Sequence, residues 1–313
     1  MKRAIVFPGQ GSQVVGMGKD LAANFTEARI VFQEVDEALN QKLSAIMFEG
    51  SEGDLTLTEN AQPAIMASSI ALLRVMEKEN GFNPASYGSY FAGHSLGEYT
   101  ALAAAKALSL ADTARLLKTR GQAMQKAVPV GEGAMAAILG LDFAQVAEIV
   151  AEAGKTGIVT VANDNSPGQV VVSGTAAAVN KACELAKEKG AKRALLLPVS
   201  APFHSPLMQP AAITMDGALK STTINAPTLP VIANVTAKEV TSPDDIRKLL
   251  VEQVTGMVRW RESVEHMAYI GVTSVLEIGV GKVLTGLVKR IDKNLEASCV
   301  ASVDDIKTFK AAA

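Results

Sequence analysis

Ser89–Leu108 reads SYFAGHSLGEYTALAAAKAL, and the change of pattern inside it decides the fold class. Ser89–Ala92 has the aromatic and small apolar character of a short buried strand. From Leu96 to Leu108 alanine and leucine dominate, which favours helix. Between them Gly93-His94-Ser95-Leu96-Gly97 matches G-x-S-x-G in a strand–turn–helix setting, the arrangement of a nucleophile elbow. So sharp a turn forces the serine into a strained backbone, and the residues two before and two after it must then lack side chains. The helix start also aims backbone N–H groups at the site, where negative charge is favoured. Alone, the pattern would arise by chance in about one chain in ten of this length. The strand before it and the helix after it give it weight.

Working outward, Arg3–Phe7 reads as a buried strand running into the turn Pro8-Gly9-Gln10-Gly11-Ser12. Helical patterns cover Thr26–Asn40, Gln62–Glu79 and Leu110–Val128, the last stopped by Pro129 and Gly131. After Gly131 the pattern becomes strand Ala134–Leu141, helix Phe143–Ala153, strand Ile158–Ala162, turn Asn163–Gly168, strand Gln169–Ser173, helix Thr175–Lys189 and strand Lys192–Val199. That βαββαβ order is the ferredoxin-like plan. Beyond it, Leu229–Ala233 and Ser274–Ile278 read as strands, and Ser263–Ile270 and Val283–Ile291 as helices around the turn Gly279–Lys282. The expected fold is therefore α/β. A large subdomain with a parallel sheet, residues 1–129 and 199–313, is interrupted by a small ferredoxin-like one, residues 130–198. The Ala311–Ala313 tail is expected to fray.

Composition narrows the function classes. The chain has 313 residues and is 48% hydrophobic, enough for a sizeable core without metals or disulfides. Thirty basic residues against 32 acidic ones leave a net charge of −2, which speaks against nucleic-acid binding. Cys183 and Cys299 are too far apart for a zinc spacing and too few for a disulfide framework, which fits a reducing cytoplasm. No stretch has the length and apolarity of a membrane span, and the start lacks a signal-peptide core.

A serine nucleophile needs a base, and there are only three histidines. His94 adjoins Ser95 and should diverge from it, supporting the turn. His266 lies in a helical stretch beside Met267. His204 sits in Ser200-Ala201-Pro202-Phe203-His204-Ser205-Pro206, stiffened by two prolines at the return from the small subdomain, where a general base would be held rigidly. For the group that orients it, no carboxylate stands out. Asp216 and Asp244 are candidates by order alone, and a backbone or amide carbonyl could do the same work. Gly9, Gly11 and Gly16 give neither a dinucleotide fingerprint nor a P-loop.

Several segments together resemble the malonyl-CoA:acyl carrier protein transacylases. They are Phe7–Gln13 (FPGQGSQ), Gly93–Tyr99 (GHSLGEY), Arg120-Gly121, Asn163–Gly168 (NDNSPG), Phe203-His204 and Gly279–Gly286 (GVGKVLTG). They run in the family's order along nearly the whole chain. The resemblance implies an α/β-hydrolase-like large subdomain with a ferredoxin-like insertion. It implies Ser95 as nucleophile and His204 as base, with the backbone N–H groups of Gln10 and Leu96 as the oxyanion hole. Arg120 would hold the malonyl carboxylate, and Gln253 would offer a carbonyl to His204. His94, Asn163 and Phe203 would line the pocket, Phe203 narrowing it against α-branched acyl groups. No metal or redox cofactor is implied, only malonyl-CoA, a coenzyme A thioester, and holo acyl carrier protein as substrates. The acidic carrier protein would dock transiently on basic residues such as Lys189, Lys192, Arg193, Lys289, Arg290 and Lys293, and the enzyme would act as a monomer. Val280 and Met257 stand where the family commonly has proline, outside the expected chemistry.

The alternative reading is a serine thioesterase or esterase, which shares the elbow but lets water in. Arg120 argues for transfer of a malonyl group. A charge bordering the apolar stripe Leu116, Leu117 and Met124 is costly without a partner, and acetyl-CoA would leave it unpaired.

Overall fold

The computed structural model describes residues 2–199 and 201–310, so the alanine tail and Ser200 lie outside the described residues. The strands are β1 (Lys2–Phe7), β2 (Tyr90–Gly93), β3 (Gly133–Leu139), β4 (Val159–Ser166), β5 (Gln169–Thr175), β6 (Arg193–Leu196), β7 (Val231–Ile232), β8 (Glu239–Val240), β9 (Val272–Ile278) and β10 (Glu296–Val300). They form a six-stranded sheet, β10-β9-β1-β2-β7-β8, and a four-stranded sheet, β4-β5-β3-β6. The first is parallel except where β8 returns against β7. The second is antiparallel throughout.

The six-stranded sheet is covered on both faces, which is why β1 is apolar without alternation. Ile5 and Phe7 point into the larger core. There they meet residues of the helices Thr26–Leu39, Thr58–Glu79 and Leu110–Lys126. Ala4 and Val6 face the other way, into a core shared with the helices Trp260–Tyr269 and Val283–Ile291. Because β1 and β2 run parallel with Phe7 opposite Gly93, both strands end at one edge. Ligands of open parallel sheets bind at that carboxyl edge. β7, beside β2, delivers Asn234 to the same edge.

Two expected elements change. The helix from Leu96 ends at Ala104 rather than Leu108. Lys106 turns the chain with φ of 60°, and the carbonyls of Ala105 and Ala107 accept instead from Thr228 and Asn225. Tertiary partners thus override the alanine preference. The expected turn Asn163–Gly168 shrinks, because β4 runs on to Ser166. Its polar run is extended because it finds partners outside its own sheet. Val258 donates to Ala162 and accepts from Asp164, stitching β4 to the segment before Trp260. The helices Gln209–Lys220 and Pro243–Thr255 were not read from the sequence. The second carries an ordinary start signal, with Ser242 capping Asp245 N–H and Pro243 in the first turn.

The junction between the sheets also holds a buried charge. Asp164 receives Arg261 Nε and Nη2 at 2.9 and 2.8 Å. Burial pushes the Asp164 carboxyl up, against the pull of Arg261. Removing one partner of such a pair leaves the other unpaired. Arg261→Ala should therefore destabilise the fold by about 3 kcal/mol in urea unfolding, with part recovered in the Asp164→Asn, Arg261→Ala double variant. Equal stability of wild type and Arg261→Ala would show the tie to be idle.

Candidate active site

Ser95 sits at the end of β2 with φ of 53° and ψ of −110°. A non-glycine residue rarely adopts this backbone, and it persists only where the surroundings hold it. Two glycines make room. A Cβ on Gly93 would run into the Gly97 carbonyl, and one on Gly97 into the carbonyl of Phe7 at the end of β1. Asn234 splints the turn. Its Oδ1 accepts the Ser95 N–H at 2.7 Å, and its Nδ2 donates to the Gly93 carbonyl at 2.7 Å. The Ser95 N–H is thereby engaged.

The loop after the small sheet brings His204 to Ser95, with Nε2 2.8 Å from Oγ. His204 Nδ1 lies 2.9 Å from the Gln253 backbone carbonyl and 3.1 Å from that of Gly256. Both carbonyls can only accept, so Nδ1 carries the proton and Nε2 offers its lone pair to the Ser95 hydroxyl. No carboxylate is involved among the described residues: Asp216 pairs with Lys220 on the surface, and Asp244 lies in the first turn of the Pro243–Thr255 helix. His204 has φ of 55° and is only 4% exposed. Burial and the nearby Arg120 charge push it down to about 3, so the ring is neutral around pH 7.

Arg120 comes from the Leu110–Lys126 helix and is 1% exposed, so it does not reach for solvent. Nη1 donates to Gln62 Oε1 at 2.8 Å. Nη2 donates to Gln253 Oε1 at 2.9 Å and to Ser95 Oγ at 3.1 Å. The guanidinium carbon lies 5.7 Å from the centre of the Tyr99 ring. Among the described residues Arg120 has no carboxylate within ion-pair distance, and its Nε has no partner. A buried cation held only by neutral groups is poised for an anion, and a planar fork suits a carboxylate.

These groups open on a cavity of about 630 Å³. Gln10, His94, Ser95, Arg120, Asn163, Phe203 and His204 all line it, while Leu96 lies behind Ser95 at the helix start. Among the described residues the backbone N–H groups of Gln10 and Leu96 donate to no protein acceptor. Gln10 is steadied by its side chain, which donates to Thr58 at 3.3 Å. His94 points away from Ser95, with Nε2 2.8 Å from Asn165 Oδ1 and its ring 5.8 Å from that of Trp260. Burial holds it below its ordinary range. Sequence reasoning missed Gln62, Asn234 and Glu98, which are buried polar residues in apolar stretches. Such residues demand partners, and that was the available signal.

The acyl transferase domain family matches residues 4–309. A Bacillus subtilis (strain 168) protein called malonyl CoA-acyl carrier protein transacylase is 49% identical over 309 residues, 98% of this chain and 95% of its own. The crystal structure of acyl-carrier-protein-S-malonyltransferase from Bartonella henselae superposes with a TM-score of 0.96 at 56% identity, covering 98% of each chain. A malonyl-transacylase solved in complex with its type II PKS acyl-carrier protein gives a TM-score of 0.94 at 43% identity, again over 98% of each chain. A fold, a cavity and a whole-length likeness lead to one conclusion: this chain belongs to the acyl transferase domain family, among the malonyl CoA-acyl carrier protein transacylases.

Proposed function

We propose that this protein moves a malonyl group from malonyl-CoA to the phosphopantetheine thiol of acyl carrier protein through a malonyl ester on Ser95. The observation that carries the reading is the buried Arg120 guanidinium 3.1 Å from the Ser95 hydroxyl. An acyl group with a free carboxylate can place it on Arg120 while its thioester carbon meets Ser95 Oγ. Acetyl groups have nothing to offer there.

In the first half-reaction His204 Nε2 takes the Ser95 proton as Oγ attacks the thioester carbon. The oxyanion that forms is received by the Gln10 and Leu96 N–H groups, aided by the helix start. The C–S bond then breaks, His204 returns the proton to the leaving sulfur, and coenzyme A departs. In the second, the carrier protein's thiol gives its proton to His204 and its sulfur attacks the Ser95 ester. Ser95 Oγ leaves and recovers the proton. The Gln253 and Gly256 carbonyls keep the ring in one tautomer through both steps. Nucleophile, base and cation all come from one chain, which supports action as a monomer. We read residues 130–198 as the inserted subdomain and 1–129 with 199–313 as the large one. The first contributes Asn163 and Met135 to the cavity wall.

Three measurements test this. Intact mass after brief mixing with malonyl-CoA should show a malonyl adduct that Ser95→Ala lacks, that acetyl-CoA does not form, and that holo acyl carrier protein removes. Steady release of coenzyme A without the carrier would make the protein a hydrolase. Arg120→Ala should lower kcat/KM for malonyl-CoA by about 10³-fold or more; unchanged kinetics would remove the carboxylate role. In a Glu98→Gln variant, which removes the buried carboxylate that burial raises to about 7, inactivation of Ser95 by an uncharged sulfonyl fluoride should be flat from about pH 5 to about pH 8. His204 stays neutral until pH falls through about 3. A midpoint near the ordinary histidine value would show the base to be less buried than this.

A further inference from the structure

Glu98 follows Ser95 by three residues on the same helix, is 2% exposed, and does not line the cavity. Its Oε2 accepts from Gln253 Nε2 at 2.7 Å and from the Asn234 N–H at 3.0 Å. Gln253 also donates to the Ser95 carbonyl at 3.0 Å and turns its own Oε1 to Arg120. The amide thus has a carboxylate at its nitrogen end and a guanidinium at its oxygen end. Reversing it would set NH₂ against guanidinium and oxygen against carboxylate. Glu98 therefore fixes which way Gln253 faces, and so what holds Arg120.

The charges around this network are few. Arg120 approaches from the Leu110–Lys126 helix. Tyr99, on the Glu98 helix, is pushed up to about 12 by burial and is neutral. His94 and His204 are held neutral by burial. Arg120 and Glu98 are the opposing charges of the network, joined through one amide. A substrate carboxylate on Arg120 makes two anions for one cation inside the protein, and like charges in such a place drive one of them to protonate. The substrate carboxylate has the guanidinium directly, whereas Glu98 has it only through Gln253.

We propose that Glu98 is a positioning residue for acyl-group selection: it orients Gln253 and balances Arg120 in the free enzyme, and it takes a proton from solvent when a malonyl carboxylate occupies Arg120. This rests on the carboxylate role of Arg120 proposed above. Burial already pushes Glu98 up to about 7, with the Gln253 and Asn234 bonds and Arg120 pulling the other way, so a small further rise is enough. His204, starting near 3, stays neutral at pH 7 even if it rises somewhat.

The test counts protons. Enzyme is mixed with malonyl-CoA in weakly buffered solution at pH 7 with an indicator dye, and malonyl-enzyme is counted by intact mass. Transfer to Ser95 consumes no proton itself, since coenzyme A leaves as the thiol. A Glu98 that is about half-protonated at pH 7 can take up at most about 0.5 proton per malonyl-enzyme there. Glu98→Gln should form adduct with the uptake lost. In wild type, with no variant needed, uptake should fade towards pH 5, where Glu98 already holds its proton. Adduct without uptake, or equal uptake in Glu98→Gln, overturns this proposal and leaves the malonyl transfer reading standing. No adduct in wild type overturns both. A purely structural glutamate would not move the proton count.

Discussion

The site depends on keeping one positive charge inside the protein without a direct counter-ion. A guanidinium taken out of water is tolerated only if its N–H groups are bonded and its charge is balanced nearby. Here Gln62 and Gln253 supply acceptors, and Glu98 supplies the charge one amide away. A carboxylate in direct contact would satisfy Arg120 fully and leave it nothing for a ligand. Two neutral amides leave it bonded yet able to take a stronger partner. The rest of the centre is arranged around that condition. Gln253 reaches Ser95 and Glu98 through its side chain and His204 through its backbone carbonyl.

Strain is placed at the same point. Ser95 and His204 both hold positive φ, each costing roughly 1–3 kcal/mol for a non-glycine residue in a sparsely populated backbone region. Neither residue could relax without breaking bonds to Asn234, Gln253 or Gly256. Ser95 and His204 are therefore fixed before any substrate arrives, which lowers the reorganisation that the proposed reaction needs.

Local chemistry made part of this legible in the sequence. The strand–turn–helix around Ser95 was readable because glycine spacing reports a steric need. β1 was readable because a strand buried on both faces is apolar without alternation. The four-stranded sheet was readable because its helices begin and end on ordinary signals, such as the Asp142 and Gln145 capping box. Hidden were the features set by distant partners. Asn163–Ser166 looks like a turn by composition, yet it is strand because Val258, Arg261 and His94 supply its partners. Gln253 could be named only through a family likeness, since nothing within its own helix says that a bend nearby will deliver His204. Asn234 and Glu98 signal only that a buried polar group needs a partner; which partner is set across 136 residues.

Among the described residues no aspartate stands behind His204, which fits the charge of a malonyl group. An acid there would favour the imidazolium, as in Ser-His-Asp sites. It would also set a second anion beside the guanidinium proposed to receive the malonyl carboxylate, and the two would compete for one cation. Carbonyls fix the tautomer without adding charge. The cost is a base of low affinity for protons in the free enzyme, pushed down in part by Arg120 itself. A carboxylate on Arg120 would screen that charge from His204, so in the proposed reaction the ligand held by the arginine also makes the histidine a better base. On that proposal, choice of acyl group and activation of Ser95 draw on the same buried positive charge.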